Sequence, residues 1–326
     1  MPESHAAAWP WFRARLAGLR FVPKQREGGP AAVRTAVVTD SAAALPADWI
    51  AGVGGKGLLT VIPMPVMVGP DIYGEGEDDI LETIALALAT GKPVKTSRPS
   101  PGQFEQAYRA AQGQGYESVV SIHISGELSG TADAARLAAA RVDFPVEVVD
   151  SRTVGMALGM AVQSAVAVAA AGGDTAAVAA AAAGQAAGTK VYFYVPSLEQ
   201  LRRGGRIGAA ASLLGTMLAI KPILAVDGGR IVPLEKVRSA ARAVARLEEI
   251  VAAEAAAGPS VRLAVHHFGN PQEAESLAAR LSAALPNCPP AQISSLPAVL
   301  AAHAGLGVLA VIVGHELPAA PAPQSP

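Results

Sequence analysis

The chain has 326 residues, of which 51% are apolar, 16% charged and 4% aromatic, with a formal net charge of −1. That length supports one large core or two lobes of ordinary size. The near-neutral balance and scarcity of rings argue against nucleic-acid binding, which asks for a basic footprint and stacking platforms. The single cysteine, Cys288, excludes an internal disulfide and a thiolate zinc cluster, and it fits a reducing compartment such as the cytoplasm.

Residues 1–33 differ in texture from the rest of the chain. Trp9, Phe12, Leu16 and Leu19 fall at helical spacing, with Arg13, Arg15 and Arg20 elsewhere, and the loose stretch 24–30 comes after them. The leading charge and unbroken apolar core of a signal peptide are missing. Two readings stay open: a disordered or loosely docked extension, or a helix making transient contact with a membrane surface or a partner. The proline-rich tail 318–326 reads as disordered.

From residue 34 onward strand and helix patterns alternate. Residues 35–38 form a short buried strand ending in Thr39-Asp40-Ser41, and 58–68 is an extended stretch with Pro63 and Pro65. Residues 78–89 read as a helix with Gly91 past its end, 96–101 as a loop and 102–113 as a helix. The strand 119–124 breaks into Ser125-Gly126-Glu127-Leu128-Ser129-Gly130-Thr131 and opens an alanine-rich helix over 132–141. A strand over 146–149 ends in Asp150-Ser151. Residues 154–171 are apolar but carry Gln163 and Ser164 and are mostly alanine and glycine, so a packed helix is expected rather than a membrane span.

The second half predicts a strand at 191–195, a basic, glycine-broken turn over 201–207 and a helix over 209–219. A strand at 221–226 leads through Asp227-Gly228-Gly229-Arg230 into 231–234, a hairpin signal. A helix at 239–257, a strand at 261–265 and a helix at 273–285 come next. The expected architecture is α/β in two lobes. A mostly parallel sheet domain over 34–155 precedes a smaller α+β domain over 156–317. Ligands of parallel sheets sit beyond the carboxyl ends of the strands. Thr39, Asp40, Ser41, Ser125 and Asp150 therefore form a candidate polar rim, although each alone is ordinary cap chemistry. In the 125–131 turn, hydroxyls and backbone N–H groups facing one point would suit a carboxylate or phosphate.

Standard catalytic signatures are missing. There is no HExxH helix and no GxSxG elbow, and 52–57, though glycine-rich with Lys56, lacks the spacing of a phosphate loop. No acidic cluster suggests a metal. His266-His267 and His303 are far apart in sequence.

Taken in order, Thr39-Asp40-Ser41, Thr96-Ser97-Arg98-Pro99-Ser100-Pro101, residues 125–131, Asp150-Ser151, residues 201–207, Lys221-Pro222-Ile223 and His303-Ala304-Gly305-Leu306-Gly307 resemble the DegV family of bacterial fatty-acid-binding proteins. The resemblance covers roughly residues 33–313. It implies a non-catalytic, cytoplasmic, two-lobed carrier. Such a carrier holds one long-chain fatty acid in a ligand cleft between its two lobes, needs no cofactor and presents the acid to a separate fatty acid kinase. By motif match Thr96 and Ser129 would bind the carboxylate, His303 would complete the pocket, and Arg238 would lie near the head group. Ser97 and Gly130 fall on the supporting rim. Gly126 departs from a serine common in this turn, and the loop at His303 lacks a threonine and proline often found there. Arg202, Arg203 and Arg206, with Arg238, Arg242 and Arg246 at i, i+4 spacing, suit either a kinase-docking face or a solvated helix surface. The rival reading is an acyl or phosphoryl hydrolase or transferase using Thr96, Ser129 and His303, with Asp40 or Asp150 assisting the base.

Overall fold

The computed structural model describes residues 34–53, 57–74, 80–213, 220–258 and 260–315. The readings for 1–33, 318–326, Lys56, the start of the 78–89 helix and residues 214–219 lie outside them. In chain order the first strands are β1 (Thr35–Asp40), β2 (Leu59–Ile62), β3 (Val66–Val68), β4 (Asp71–Tyr73), β5 (Val94–Thr96), β6 (Ser118–His123) and β7 (Val146–Asp150). They are followed by β8 (Thr189–Tyr194), β9 (Lys221–Asp227), β10 (Arg230–Val237), β11 (Val261–His267), β12 (Gln292–Ser295) and β13 (Leu309–His315). The helices are α1 (Ala47–Val53), α2 (Ile80–Ala89), α3 (Pro101–Gly113), α4 (Thr131–Ala139) and α5 (Met156–Ala170). Then come α6 (Thr175–Ala187), α7 (Glu199–Arg203), α8 (Ala240–Ala255), α9 (Pro271–Ala284) and α10 (Ala298–Ala304).

A parallel sheet runs in the order β2-β1-β6-β7. Its residues alternate between two cores, as the strand period of two requires. Ala36, Val38 and Val119 face Phe104 and Tyr108 of α3 and Ala134, Ala135 and Ala138 of α4. Val37, Val120 and Ile122 face the opposite way, into the main core. The second sheet is mixed, ordered β10-β9-β8-β13-β11-β12, with β11 and β12 its parallel pair. Leu309, Val311 and Val313 of β13 point outward under α8 and α9, while Ala310 and Ile312 join the main core. A small antiparallel sheet, β4-β3-β5, supplies Thr96.

Helix α5 lies between the two larger sheets, touching β1 and β6 on one side and β8 and β13 on the other. Eleven of its fifteen residues are buried, which is why it reads as apolar all round. A Cβ at Gly159 would stand 2.4 Å from the carbonyl oxygen of Ala43, so only glycine lets the helix approach the turn Ser41–Ala43.

Three expected elements differ, one of them the loop at His303, where residues 298–304 form helix α10. The stretch 58–68 splits at Pro63 and Pro65 into β2 and β3, which belong to different sheets. The start of the predicted 209–219 helix is instead a tighter 3-10 segment, Gly208–Leu213, entered at Gly208 with φ 52°. A side chain at Gly208 would meet the Ile231 carbonyl at 2.7 Å, so packing against β10 sets the local path.

His266 ties the second sheet to α5. Its Nε2 accepts the Met156 N–H at 3.0 Å, and Nδ1 shares a hydrogen bond with Ser294 Oγ at 3.0 Å. Burial lowers its pKa from 6.5 to about 4, so the folded protein holds it neutral. The unfolded chain binds this proton first as pH falls. The stabilisation is complete above about 6.5 and shrinks progressively toward about 4. We expect melting temperatures of the ligand-free protein to fall across that window. A flat profile there would contradict the acceptor role of His266.

Candidate functional site

Between the first sheet's exit loops and the inner face of the second sheet lies a cavity of about 750 Å³, counted out to its mouth. Val191, Phe193, Val226, Ile231 and Ala310 form the sheet wall. Met64, Ile124, Leu128 and Val154 face them from loops following the first sheet's strands, and Leu296, Val299 and Leu300 close the side by α10. Its polar lining gathers Thr96, Ser129, Arg206 and His303, brought from four separate parts of the chain.

Thr96 ends β5, and the next N–H, of Ser97, donates to the Pro65 carbonyl at 2.9 Å. His303 comes from the last turn of α10, which stops at Gly305 with φ 83°. Thr96 Oγ1 and His303 Nε2 share a hydrogen bond of 2.7 Å across 207 positions of sequence. Burial first, and the Arg206 charge second, lower the His303 pKa to about 4, so the imidazole is neutral at physiological pH. Ser129 Oγ lies 2.8 Å from Thr131 Oγ1. Arg206 donates from Nε to the Leu128 carbonyl at 3.0 Å and from Nη1 to the Gly204 carbonyl at 2.6 Å. Together these groups offer hydroxyls, a neutral imidazole and one guanidinium to a ligand whose remainder is apolar.

Several predicted site residues are placed elsewhere. Thr39 Oγ1 donates to the Ile122 carbonyl at 2.8 Å, and Ser41 Oγ accepts the Met64 N–H at 3.0 Å. Asp40, fully buried, accepts from the N–H groups of Ala42 and Ile124 and pairs with His123 Nδ1 at 2.9 Å. Asp150 accepts from the N–H groups of Gly126 and Arg152, and Ser125 Oγ donates to the Gly229 carbonyl at 2.7 Å. Buried polar groups need partners, and here the protein's own backbone takes them. The cavity is lined by their neighbours Met64, Ile124, Ser129 and Val154 instead. The turn's N–H groups are spent likewise: those of residues 124–129 all donate within the protein. Over 124–129 it therefore offers the cavity the Ser129 hydroxyl rather than free amides.

Ser97 is exposed, and Gly130 caps α4 beneath Arg98, whose Nη1 lies 2.4 Å from where a Cβ would be. Arg238 is exposed just before α8 and is not among the lining residues, whereas Arg206, read as a surface residue, lines the cavity. Arg202 and Arg203 are exposed and both pair with Glu199. The signal for Arg206 was its glycine-broken turn. An added Cβ at Gly204 would stand 2.1 Å from His303 Nδ1, so this turn packs against the imidazole.

A fully buried Ser121-His123-Asp40 chain, with Tyr108 donating to Ser121, has the connectivity of a hydrolytic triad. Ser121 and His123 are 0% exposed and on the side of the sheet under α3, so no substrate reaches them. Among the described residues, no group of three or more His, Cys, Asp or Glu is placed to hold a metal, and no helix is long and apolar enough to cross a membrane.

The family described as "Uncharacterised protein, DegV family" matches residues 34–316, which spans all of the described residues. The chain belongs to the DegV family. A DegV domain-containing protein of Streptomyces coelicolor is 47% identical over 86% of this chain and 98% of the relative. Protein DegV of Bacillus subtilis is 31% identical over 85% of this chain and 97% of its own. Among solved DegV structures, one from Thermus thermophilus, described for its fatty acid binding, superimposes with a TM-score of 0.81 at 32% identity. It covers 87% of this chain and 100% of that one. The Bacillus subtilis DegV crystal structure, described as a fatty acid binding protein, gives 0.77 at 29% identity over 87% and 100% of the two chains.

We expect Gly204→Ala to displace His303 and to cost on the order of 1–3 kcal/mol of stability by overpacking. Chemical denaturation together with the NMR titration of His303 checks this. A variant of unchanged stability with an imidazole still titrating near 4 would contradict the contact.

Proposed function

We propose that this DegV protein binds one long-chain fatty acid, with the tail along the apolar walls and the carboxylate among Thr96, Ser129, Arg206 and His303. The observation that carries the reading is an apolar cavity whose polar lining is gathered in those four residues. The fatty-acid binding described for the Thermus thermophilus and Bacillus subtilis relatives supports it. A sixteen-carbon acid buries about 14 methylenes at roughly 0.8 kcal/mol each, so the tail supplies most of the affinity before ordering costs are subtracted. The head group fixes orientation. A buried carboxylate needs donors and a countercharge. Ser129 and Thr96 supply hydroxyls, and Arg206 supplies the charge. Thr96 can donate to the acid when the neutral His303 donates its Nε2–H to Thr96 Oγ1.

In this reading the protein is a non-catalytic cytoplasmic carrier, with lobes over 34–155 and 156–317, that presents the carboxylate to a separate fatty acid kinase. The exposed arginines Arg202, Arg203, Arg238 and Arg242 suit the docking face, and residues 1–33 suit a transient membrane contact. The hydrolase alternative is disfavoured by Asp40 and Asp150, the carboxylates it would recruit, which are committed to His123 and to backbone N–H groups away from His303.

Calorimetry with delipidated protein tests this reading. Palmitate should bind at least about a hundredfold more tightly than octanoate, since about eight methylenes separate them. Thr96→Ala and Ser129→Ala should each weaken the acid about tenfold while leaving the methyl ester nearly unchanged. Equal affinity for the two acids would overturn the carrier reading.

A further inference from the structure

Three consecutive parts of the 125–131 turn are held by residues from the second half of the chain. Ser125 Oγ donates to the Gly229 carbonyl at 2.7 Å, Glu127 pairs with Arg230 at 2.9 Å, and the Leu128 carbonyl accepts from Arg206 Nε at 3.0 Å. From the neighbouring turn, Arg152 donates to the Gly228 carbonyl. Gly228, Gly229 and Arg230 belong to the tip of the β9–β10 hairpin, where both glycines have positive φ, 54° and 85°. A Cβ at Gly229 would meet Ser125 Oγ at 2.5 Å, so the tip docks only because that position lacks a side chain. Arg152 itself stands at φ 53°, a left-handed conformation uncommon outside glycine, with its N–H held by Asp150.

The cavity lies directly behind this clasp. Leu128 and Ser129 line it on the turn side, and Val226 and Ile231, flanking the hairpin tip, line it on the other. We propose that the hairpin tip is the gate through which the acyl chain enters and leaves, with Glu127–Arg230, Arg152–Gly228 and Ser125–Gly229 as its catch. This rests on the fatty-acid reading and adds a route to it. Two of the other walls are costly to part. The second-sheet wall is continuously hydrogen-bonded, and Ala298, Val299 and Ala301 of α10 are at most 3% exposed. The clasp is made of polar contacts, and its ion pair is open to solvent, with Arg230 67% and Glu127 34% exposed. The Glu127–Arg230 and Arg152–Gly228 contacts lie at the surface and are weak singly, whereas the Ser125–Gly229 hydrogen bond is buried and is the part of the catch that resists opening.

A catch that is closed in both free and loaded protein governs rates rather than affinity. In stopped-flow exchange of cis-parinaric acid against excess palmitate, Glu127→Ala combined with Arg152→Ala should speed association and dissociation together, each about threefold to tenfold. The dissociation constant should stay within about twofold. As the converse, Glu127→Cys and Arg230→Cys in a Cys288→Ser background, joined by a cleavable thiol cross-linker, should stop exchange until the linker is cleaved. Cross-linked protein exchanging at the uncross-linked rate would overturn the gate, and so would unchanged rates in the double variant. If the wild-type protein binds neither probe, the fatty-acid reading fails and the gate falls with it. Binding with exchange indifferent to the clasp sinks the gate alone.

Discussion

An apolar space left unfilled inside a protein is expensive, because its lining loses dispersion contacts and the surrounding structure relaxes only partly around it. The cavity between the parallel sheet's exit loops and the inner face of the mixed sheet is bordered by strands and helices that cannot collapse inward. Helix α5 spaces the two sheets, and Gly159 fixes its position against the Ser41–Ala43 turn. His266 holds the amino end of α5 from the second sheet. The site depends on that spacing. With α5 set, the first sheet contributes Ile124, Leu128 and Ser129, and the second contributes Phe193, Ala310 and Arg206 to one space.

Much of the fold was legible in the sequence because its signals are local. The short apolar runs of β1 and β6, the glycine pair at 228–229 and the alanine-rich run at 154–171 each report a neighbourhood of a few residues. What was not legible depends on partners distant in sequence. The stretch 58–68 is one apolar run, yet Pro63 and Pro65 pass it from one sheet to another, and nothing within the run says which. Helix α10 was read as a loop because Gly305 and Gly307 dominate the pattern, although the seven residues before them are helical and deliver His303.

The same division applies to the site. Thr96, Ser129 and His303 line one cavity, and that grouping came from the order of motifs rather than from any spacing. The strand-end residues were harder to read. Thr39, Asp40, Ser41, Ser125 and Asp150 have the right polarity for a rim, and composition does not reveal that their partners are the protein's own N–H and C=O groups. Arg206 and Arg238 are equally basic on paper. The difference is that the turn at Gly204-Gly205 folds Arg206 back toward Leu128, whereas Arg238 precedes a surface helix.

The central claim is that this interior is built to be occupied by a long acyl chain with its acid group at Thr96, Ser129 and His303. Native mass spectrometry of protein freshly purified without detergent tests it most directly. The account predicts a mass exceeding the bare chain by one long-chain fatty acid at near one-to-one stoichiometry, lost on delipidation and restored by palmitate. A spectrum of the bare chain alone, unchanged when palmitate is added, would contradict it.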